Sequence, residues 1–140
     1  MIYILIALLI VVLIPVLVSL LNPLRKSDER IRDNMLTVTP IGMSMEDVIE
    51  VIESNGKWRI KHILDGGYSH YRGSDVPIGP NQGADMFDGT IVGVKTIEVD
   101  IGSYNFLVFI LREEVSIFYG FDEDSKLVDL AIRRYAMDTL

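Results

Sequence analysis

The sequence predicts an α+β domain that follows an N-terminal transmembrane helix. Residues 2–21 form an uncharged apolar run that only Pro15 and Ser19 interrupt. An amphipathic helical pattern follows at Ser44–Ser54, and after Gly56 the apolar residues recur with a period of two, which is typical of strands. These observations predict a membrane helix, then one amphipathic helix packed on a mostly antiparallel sheet of four to five strands.

The apolar run at residues 2–21 has the length of a membrane span. Twenty helical residues rise about 30 Å, which matches the hydrocarbon core of a bilayer. A cleaved signal peptide is the alternative, but only Met1 precedes the run, whereas such peptides have a positively charged start and a shorter apolar core. The expected organisation is a transmembrane anchor at 1–23, a juxtamembrane linker at 24–43 and a small α+β domain at 44–140.

The charges beside the run predict its orientation. Arg25, Lys26, Arg30 and Arg32 follow it, while the α-amino group is the only positive charge before it. The positive-inside rule favours a single-pass protein of the cell membrane with its C-terminal domain in the cytoplasm. The extracytoplasmic side remains the alternative, because the same cations also bind anionic headgroups on either side.

Net charge argues against a nucleic-acid partner. The chain has 20 acids and 13 Lys or Arg residues, of which two acids and four bases precede Asp33, so the remainder carries 18 acids against 9 bases. A field of that sign repels phosphate backbones.

The chain also has no cysteine, which excludes disulfides, thiolate metal sites and a lipidated cysteine.

Ser44–Ser54 is the clearest helix of the predicted domain. Ser44 is a natural N-cap, and Asp47 three residues later completes a capping box. The apolar residues recur with helical spacing and align on one face; they are Met45, Val48, Ile49 and Ile52. Asn55-Gly56 predicts a left-handed end.

Five segments predict the strands of the sheet. These are Trp58–Leu64, Thr90–Ile101, Tyr104–Leu111, Val115–Phe121 and Lys126–Arg133, with turns at Gly102-Ser103, Arg112–Glu114 and Asp122–Ser125. In the first segment apolar residues and His62 alternate with lysines and an arginine, and His62 is expected to be half-buried. The acids of Thr90–Ile101 are expected to face those bases across an antiparallel pair.

Asp65–Gly89 is the main candidate for a functional region. It has 25 residues, six of them glycine, and loops longer than about 15 residues are usually functional or disordered. Aromatic rings on such a loop suit contacts with a protein. The candidate partner-binding residues are Tyr68, His70, Tyr71 and Phe87, and a mobile insertion is the alternative.

No catalytic, cofactor or metal site is predicted. His62 and His70 are the only histidines, whereas a zinc site needs three or four convergent ligands. We therefore expect a protein that binds a protein partner, without enzymatic activity, a cofactor or a small-molecule ligand. The rival hypothesis is a small metal-dependent hydrolase in which His70 acts with acids of the same segment, namely Asp65, Asp75, Asp85 or Asp88.

Two segments resemble BamE-like (SmpA/OmlA) small α+β domains. Ile41–Val48, followed by a strand with Trp58, is similar to their helix entry, and Phe121–Asp129 is similar to their last hairpin, an F-D-x-x-x-x-L turn between two strands. The resemblance implies helices ahead of a three-stranded antiparallel sheet and a binding role, as in assembly lipoproteins or, in related folds, enzyme inhibitors. It carries over no site residues, and the chain lacks the lipidated cysteine. An inhibitor or immunity-type protein that neutralises a partner enzyme is a specific form of this hypothesis.

Overall fold

The computed structural model describes residues 2–71, 77–80, 87–107 and 111–138. Within these ranges, three α-helices and a 3-10 helix precede seven strands. The helices are α1 (Ile2–Leu20), α2 (Asp28–Val38) and α3 (Met45–Ser54), with the 3-10 helix at Pro23–Arg25. The strands are β1 (Arg59–Asp65), β2 (Tyr68–Tyr71), β3 (Pro77–Ile78), β4 (Phe87–Val92), β5 (Lys95–Leu107), β6 (Leu111–Phe121) and β7 (Leu127–Asp138). The predicted α+β class is confirmed.

The N-terminal helix α1 is long and apolar enough to cross a membrane. It is 19 residues long and contains no Asp, Glu, Lys or Arg. None of its residues is buried against the rest of the chain. A helix that exposes apolar side chains all round is stable only where something other than water surrounds it.

The strands form two antiparallel sheets. The main sheet has the order β1-β5-β6-β7, and the small sheet has the order β3-β2-β4. The main sheet agrees with the predicted four to five strands. The small sheet was not predicted, because the sequence indicated a long loop at Asp65–Gly89 where the structure has β2, β3 and β4.

The main core lies between the helices and one face of the main sheet. Ile31 and Met35 of α2 and Val48 and Ile52 of α3 are buried there. Alternate residues of the strands complete this core; they include Ile97, Val99, Val115, Ile117, Tyr119, Phe121, Leu130 and Ile132. Full burial of an aliphatic side chain contributes about 1.5–3 kcal/mol, so this layer is the main source of stability.

The small sheet packs on the opposite face of the main sheet. Tyr68 of β2 and Phe118 of β6 form a second, smaller core with Ala131, and Val92 packs against them. Gly120 lies beneath this contact, since a Cβ atom there would approach Tyr68 Cε1 to 3.0 Å. The main sheet is therefore covered by helices on one face and partly by the small sheet on the other.

The segment predicted as a linker is part of the folded domain. Ser27 caps α2 by accepting a hydrogen bond from the backbone N–H of Arg30 at 3.4 Å. Ile31 and Met35, one helical turn apart, anchor α2 in the main core. The sequence analysis assigned residues 24–43 to a juxtamembrane linker, because the charged residues around Ile31 hide this narrow apolar stripe of α2.

Helix α3 begins as predicted and ends differently. Ser44 Oγ accepts from the backbone N–H of Asp47 at 3.2 Å and donates to the Asp47 carboxylate at 2.6 Å, so the capping box is confirmed. At the other end Asn55 has an extended conformation with φ −90°, and its N–H donates to Ile52 O. The predicted left-handed end is therefore wrong.

Two predicted turns lie inside long strands. Gly102 has φ +125° and coincides with a register shift in the β5–β6 pair, so it forms a β-bulge and the strand continues. Arg112–Glu114 belongs to β6, and the predicted strand Tyr104–Leu111 is divided between β5 and β6. The Asp122–Ser125 turn is confirmed, with Asp122 Oδ1 accepting two backbone N–H groups at 3.0 and 2.8 Å.

The predicted strand Thr90–Ile101 divides at Gly93. Gly93 has φ +75°, and a Cβ atom there would lie 2.6 Å from Phe121 O, so only glycine fits this close approach. The predicted pairing of charges across β1 and β5 is confirmed by Arg59–Asp100 at 3.1 Å. A bulge between Ile60 and His62 shifts the alternation of β1, so His62 is exposed rather than half-buried.

Candidate functional site

The candidate partner-binding residue Tyr68 is a core residue. Its side chain is 0% exposed, and its ring lies 6.1 Å from Phe118 and 6.0 Å from His70 in an edge-on contact. Its hydroxyl is buried and has no hydrogen-bond partner among the described residues. Tyr68 therefore supports the small sheet from beneath, and its ring does not reach the surface.

The other three candidates lie on the strands of the small sheet. His70 is half-buried and faces Pro77 in the β2–β3 pair. Tyr71 and Phe87 face each other in the β2–β4 pair, and their side chains lie outside the described part of the structure. The structure thus brings these residues onto one small sheet.

The residues of the rival hydrolase hypothesis are described only in part. Asp65 is exposed at the end of β1. Asp75 and Asp85 lie outside the described residues, as does the side chain of Asp88. Within the described ranges, no group of three or more His, Asp or Glu side chains could hold a metal ion.

Three exposed apolar side chains lie on the segments that meet at the turn between β1 and β2. Ile63, Ile91 and Val94 are 54%, 65% and 44% exposed. Gly66 N–H donates to Val94 O at 2.8 Å, and a Cβ atom on Gly67 would lie 2.6 Å from Ile91 Cγ2. We call these three residues the distal corner. Single exposed apolar residues are ordinary, but a group around one turn marks a candidate contact surface.

The rest of the face that carries the small sheet holds a charged cluster. Lys61 Nζ lies 2.6 Å from Glu114 and 3.5 Å from Glu98, whose side chain is 7% exposed. Tyr135 donates to Glu98 at 3.1 Å, and the Arg133 guanidinium lies 4.5 Å from the Tyr135 ring. All four strands of the main sheet contribute to this cluster, so it ties them together.

The titration of the cluster does not favour acid–base chemistry. Burial works to lower the pKa of Lys61, but its hydrogen bond to Glu114 and the charge of Glu98 outweigh burial and raise it. Burial and the charge of Glu98 raise the pKa of Tyr135. Both shifts keep Lys61 charged and Tyr135 neutral at pH 7, so neither group is poised to accept a proton.

Arg134 of β7 holds the segment between α1 and α2. Its guanidinium donates to Leu24 O at 3.0 Å and to Lys26 O at 2.7 Å, and it pairs with Asp28 at 2.7 Å. It also donates to the Tyr104 hydroxyl at 2.7 Å. We call these contacts the base clamp.

Arg25 adds a second link between α1 and the sheet. Its guanidinium donates to Ser19 Oγ at 2.8 Å and to the carbonyl oxygen of Asn105 in β5. It also lies 5.4 Å from the Tyr104 ring. The base clamp and Arg25 together set the domain on the end of α1 in one orientation.

Sequence reasoning missed the residues of the clamp and half of the cluster. Arg134 and Tyr135 continue β7 beyond Arg133, where the predicted strand ended. One signal in the sequence indicated a longer strand: several polar residues continue the pattern after Ile132. Tyr135 is more than 30 positions from its partner Glu98 in the sequence, and Arg134 is more than 100 positions from Asp28. No local pattern therefore reveals these contacts.

Comparison with known proteins adds no relative. No protein-family model, no curated protein and no solved structure matches the chain. A function for this chain therefore rests on its own residues and contacts.

Proposed function

We propose that the chain is a single-pass membrane-anchored protein-interaction module that presents its distal corner to a protein partner. The observation that carries the proposal is the exposure of Ile63, Ile91 and Val94 on segments that meet near the start of β5, at the end opposite the base clamp. Strand residues advance about 3.3 Å each, so Lys95 lies roughly 30 Å from Asn105, where Arg25 binds. The exposed apolar group thus projects away from the anchor.

The base clamp supports a presenting role. A domain on a free linker would sample many orientations, and a partner would have to overcome that freedom on binding. Arg134 and Arg25 fix the orientation through hydrogen bonds to main-chain carbonyl oxygens. Such preorganisation lowers the entropic cost of association.

Anchorage in the cell membrane is part of the same proposal. The length of α1 and the absence of buried residues in it support anchorage, and the cations that follow α1 favour a cytoplasmic domain. The resemblance to BamE-like domains is consistent with binding rather than catalysis and remains a prediction. Neutralisation of a partner enzyme is one form that the interaction would take.

Photo-crosslinking from the distal corner tests the interaction. A photoreactive amino acid at position 91 of the full chain, in native membranes, is expected to give a discrete protein adduct. The substitution Val94→Asp beside it should reduce that adduct about tenfold, since a buried charge without a partner weakens an apolar contact. The matched control carries the photoreactive residue at Ile41, which is 54% exposed on a different loop. Equal adducts from both positions, or an adduct insensitive to Val94→Asp, would contradict the proposed surface.

A reporter pair active on opposite sides of the membrane, fused after Leu140, tests the orientation. Activity of the cytoplasmic reporter alone is expected, because the cations lie after α1. Activity of the external reporter would show that the domain is extracytoplasmic and would favour the envelope role that the family resemblance implies. Activity of neither reporter in the membrane fraction would contradict anchorage itself.

A further inference from the structure

A groove lies where α1 meets the domain. It has a cavity volume of about 780 Å³ and is lined by Val18 and Leu21 from the end of α1, Ile31 from α2, Trp58 beside β1 and Ile101 from β5. Ligand pockets in proteins commonly have volumes of about 300–1,000 Å³. The groove is thus large enough for a ligand, and its walls are mostly apolar.

We propose that this groove binds one acyl chain of an anionic membrane phospholipid, with the lipid phosphate near Lys57. The proposal rests on the membrane anchorage proposed above and adds a specific ligand. Val18 of α1 and Leu21, which directly follows α1, both line the groove. An acyl chain that lies along α1 in the bilayer therefore enters the groove without crossing water.

The polar end of the groove suits a phosphate. Among the described residues that line it, Lys57 alone is charged, and it is exposed. An ammonium group attracts the anionic lipids of a membrane surface. The acidic chain repels free anions in solution, whereas the acyl chain of a lipid makes apolar contacts with the walls of the groove.

The tryptophan of the chain fits the same location. Trp58 is half-buried, packs against the main core and lines the groove. Tryptophan is enriched where an apolar layer meets water, because its ring is apolar and its N–H is polar. Trp58 therefore lies where the acyl chain of a bound lipid meets its headgroup region.

Photolabelling by a lipid tests the proposal on the full chain. The chain is reconstituted in phosphatidylcholine vesicles that contain phosphatidylglycerol with a diazirine in one acyl chain, irradiated and digested. Label is expected on the peptide that contains Trp58 as well as on α1. The substitution Asn34→Trp fills the groove from an exposed position of α2 and should lower the label on the Trp58 peptide about tenfold.

Two further variants sharpen the test. Asp33→Trp places the same ring on the neighbouring exposed position of α2, which does not line the groove, and should leave the label unchanged. Lys57→Glu should lower the label for phosphatidylglycerol more than for a phosphatidylcholine probe with the same diazirine. Equal label on the Trp58 peptide in the wild type and in Asn34→Trp would overturn the proposal.

The same experiment separates this proposal from the proposed anchorage. A chain that does not float with the vesicles refutes the anchorage and the lipid site together. A chain that floats and carries label only on α1 refutes the lipid site alone, because the probe is then ordinary surrounding lipid. Disulfide crosslinks could form between two copies that carry Ile31→Cys, with a matching decrease in lipid label. That result would show that a second copy occupies the groove and would overturn the proposal of a lipid.

Discussion

The two ends of β5 are held in different ways. At the base end, Arg134 and Arg25 donate hydrogen bonds to main-chain carbonyl oxygens beside α1. At the distal end, Tyr68 fills the space between two sheets and the distal corner exposes apolar side chains. Hydrogen bonds are directional, whereas apolar burial is proportional to area and has no direction. The base end therefore sets orientation, and the distal end provides packing together with a contact surface.

The largest effect is expected from Tyr68→Ala at the distal end. The substitution leaves a cavity between the sheets and should lower the free energy of unfolding by about 3–5 kcal/mol. Denaturant titration of the full chain in detergent micelles, followed by Trp58 fluorescence, measures it. If the loss were below 1 kcal/mol, the two-sheet packing would not be the main support of the distal end.

Tyr68→Phe is the matched control for that prediction. The Tyr68 hydroxyl is buried without a partner among the described residues, so its removal should cost little or stabilise the fold. Burial raises the pKa of Tyr68 above its ordinary value of 10.0. The free energy of unfolding of the wild type should therefore be unaffected by this group below pH 10 and should decrease as the pH rises toward the raised pKa of the folded state. Tyr68→Phe should lose less free energy of unfolding at alkaline pH.

Lys61→Met tests the charged cluster between the two ends. It leaves the carboxylates of Glu98 and Glu114 without their cation and should lower the free energy of unfolding by about 3 kcal/mol at pH 7. Lys95→Met, at an exposed position of β5, is the control. An equal loss in Lys61→Met and in Lys95→Met would show that the ion pairs of Lys61 do not stabilise the sheet.

Arg134→Ala is expected to have a smaller effect on stability than Lys61→Met, and a more local one. Loss of its charge-assisted hydrogen bonds should cost about 2 kcal/mol and release the segment between α1 and α2. Limited proteolysis of the full chain in micelles should then cut near Arg25 and Lys26 several times faster than in the wild type. Arg112→Ala, which removes an exposed side-chain bond to Ser103, should leave the cleavage rate unchanged. Equal protection in Arg134→Ala would show that the base clamp does not fix the domain.

Some elements could be predicted because their causes are local. The capping box of Ser44 and Asp47 defines α3 within four residues, and the Asp122–Ser125 turn is closed by its own side chain. The charge pairing of β1 with β5 was also correct, because alternation in both strands places the bases opposite the acids.

Other elements could not be predicted because their causes are distant. The sequence of α2 is typical of a charged linker, but the segment is helical in the fold because Ile31 and Met35 pack into the main core and α2 contacts β7. The sequence predicts that Tyr68 is an exposed ring on a glycine-rich loop. Its burial in the structure depends on Phe118, which lies 50 positions further along the chain. The sequence predicts a turn at Gly102, but the pairing of β5 with β6 makes this residue part of a β-bulge.

The sequence alone determined the apolar helix α1, the α+β class, the start of α3 and the acidic charge of the domain, since composition and short-range spacing carry this information. The tertiary structure alone decided the base clamp, the charged cluster, the small sheet, the distal corner and the groove beside α1. Each of these depends on which strands become neighbours. Strand order is fixed by the free energy of burying whole faces of sheets and helices against one another. No short segment of the chain determines that free energy, because the buried faces come from distant parts of the sequence.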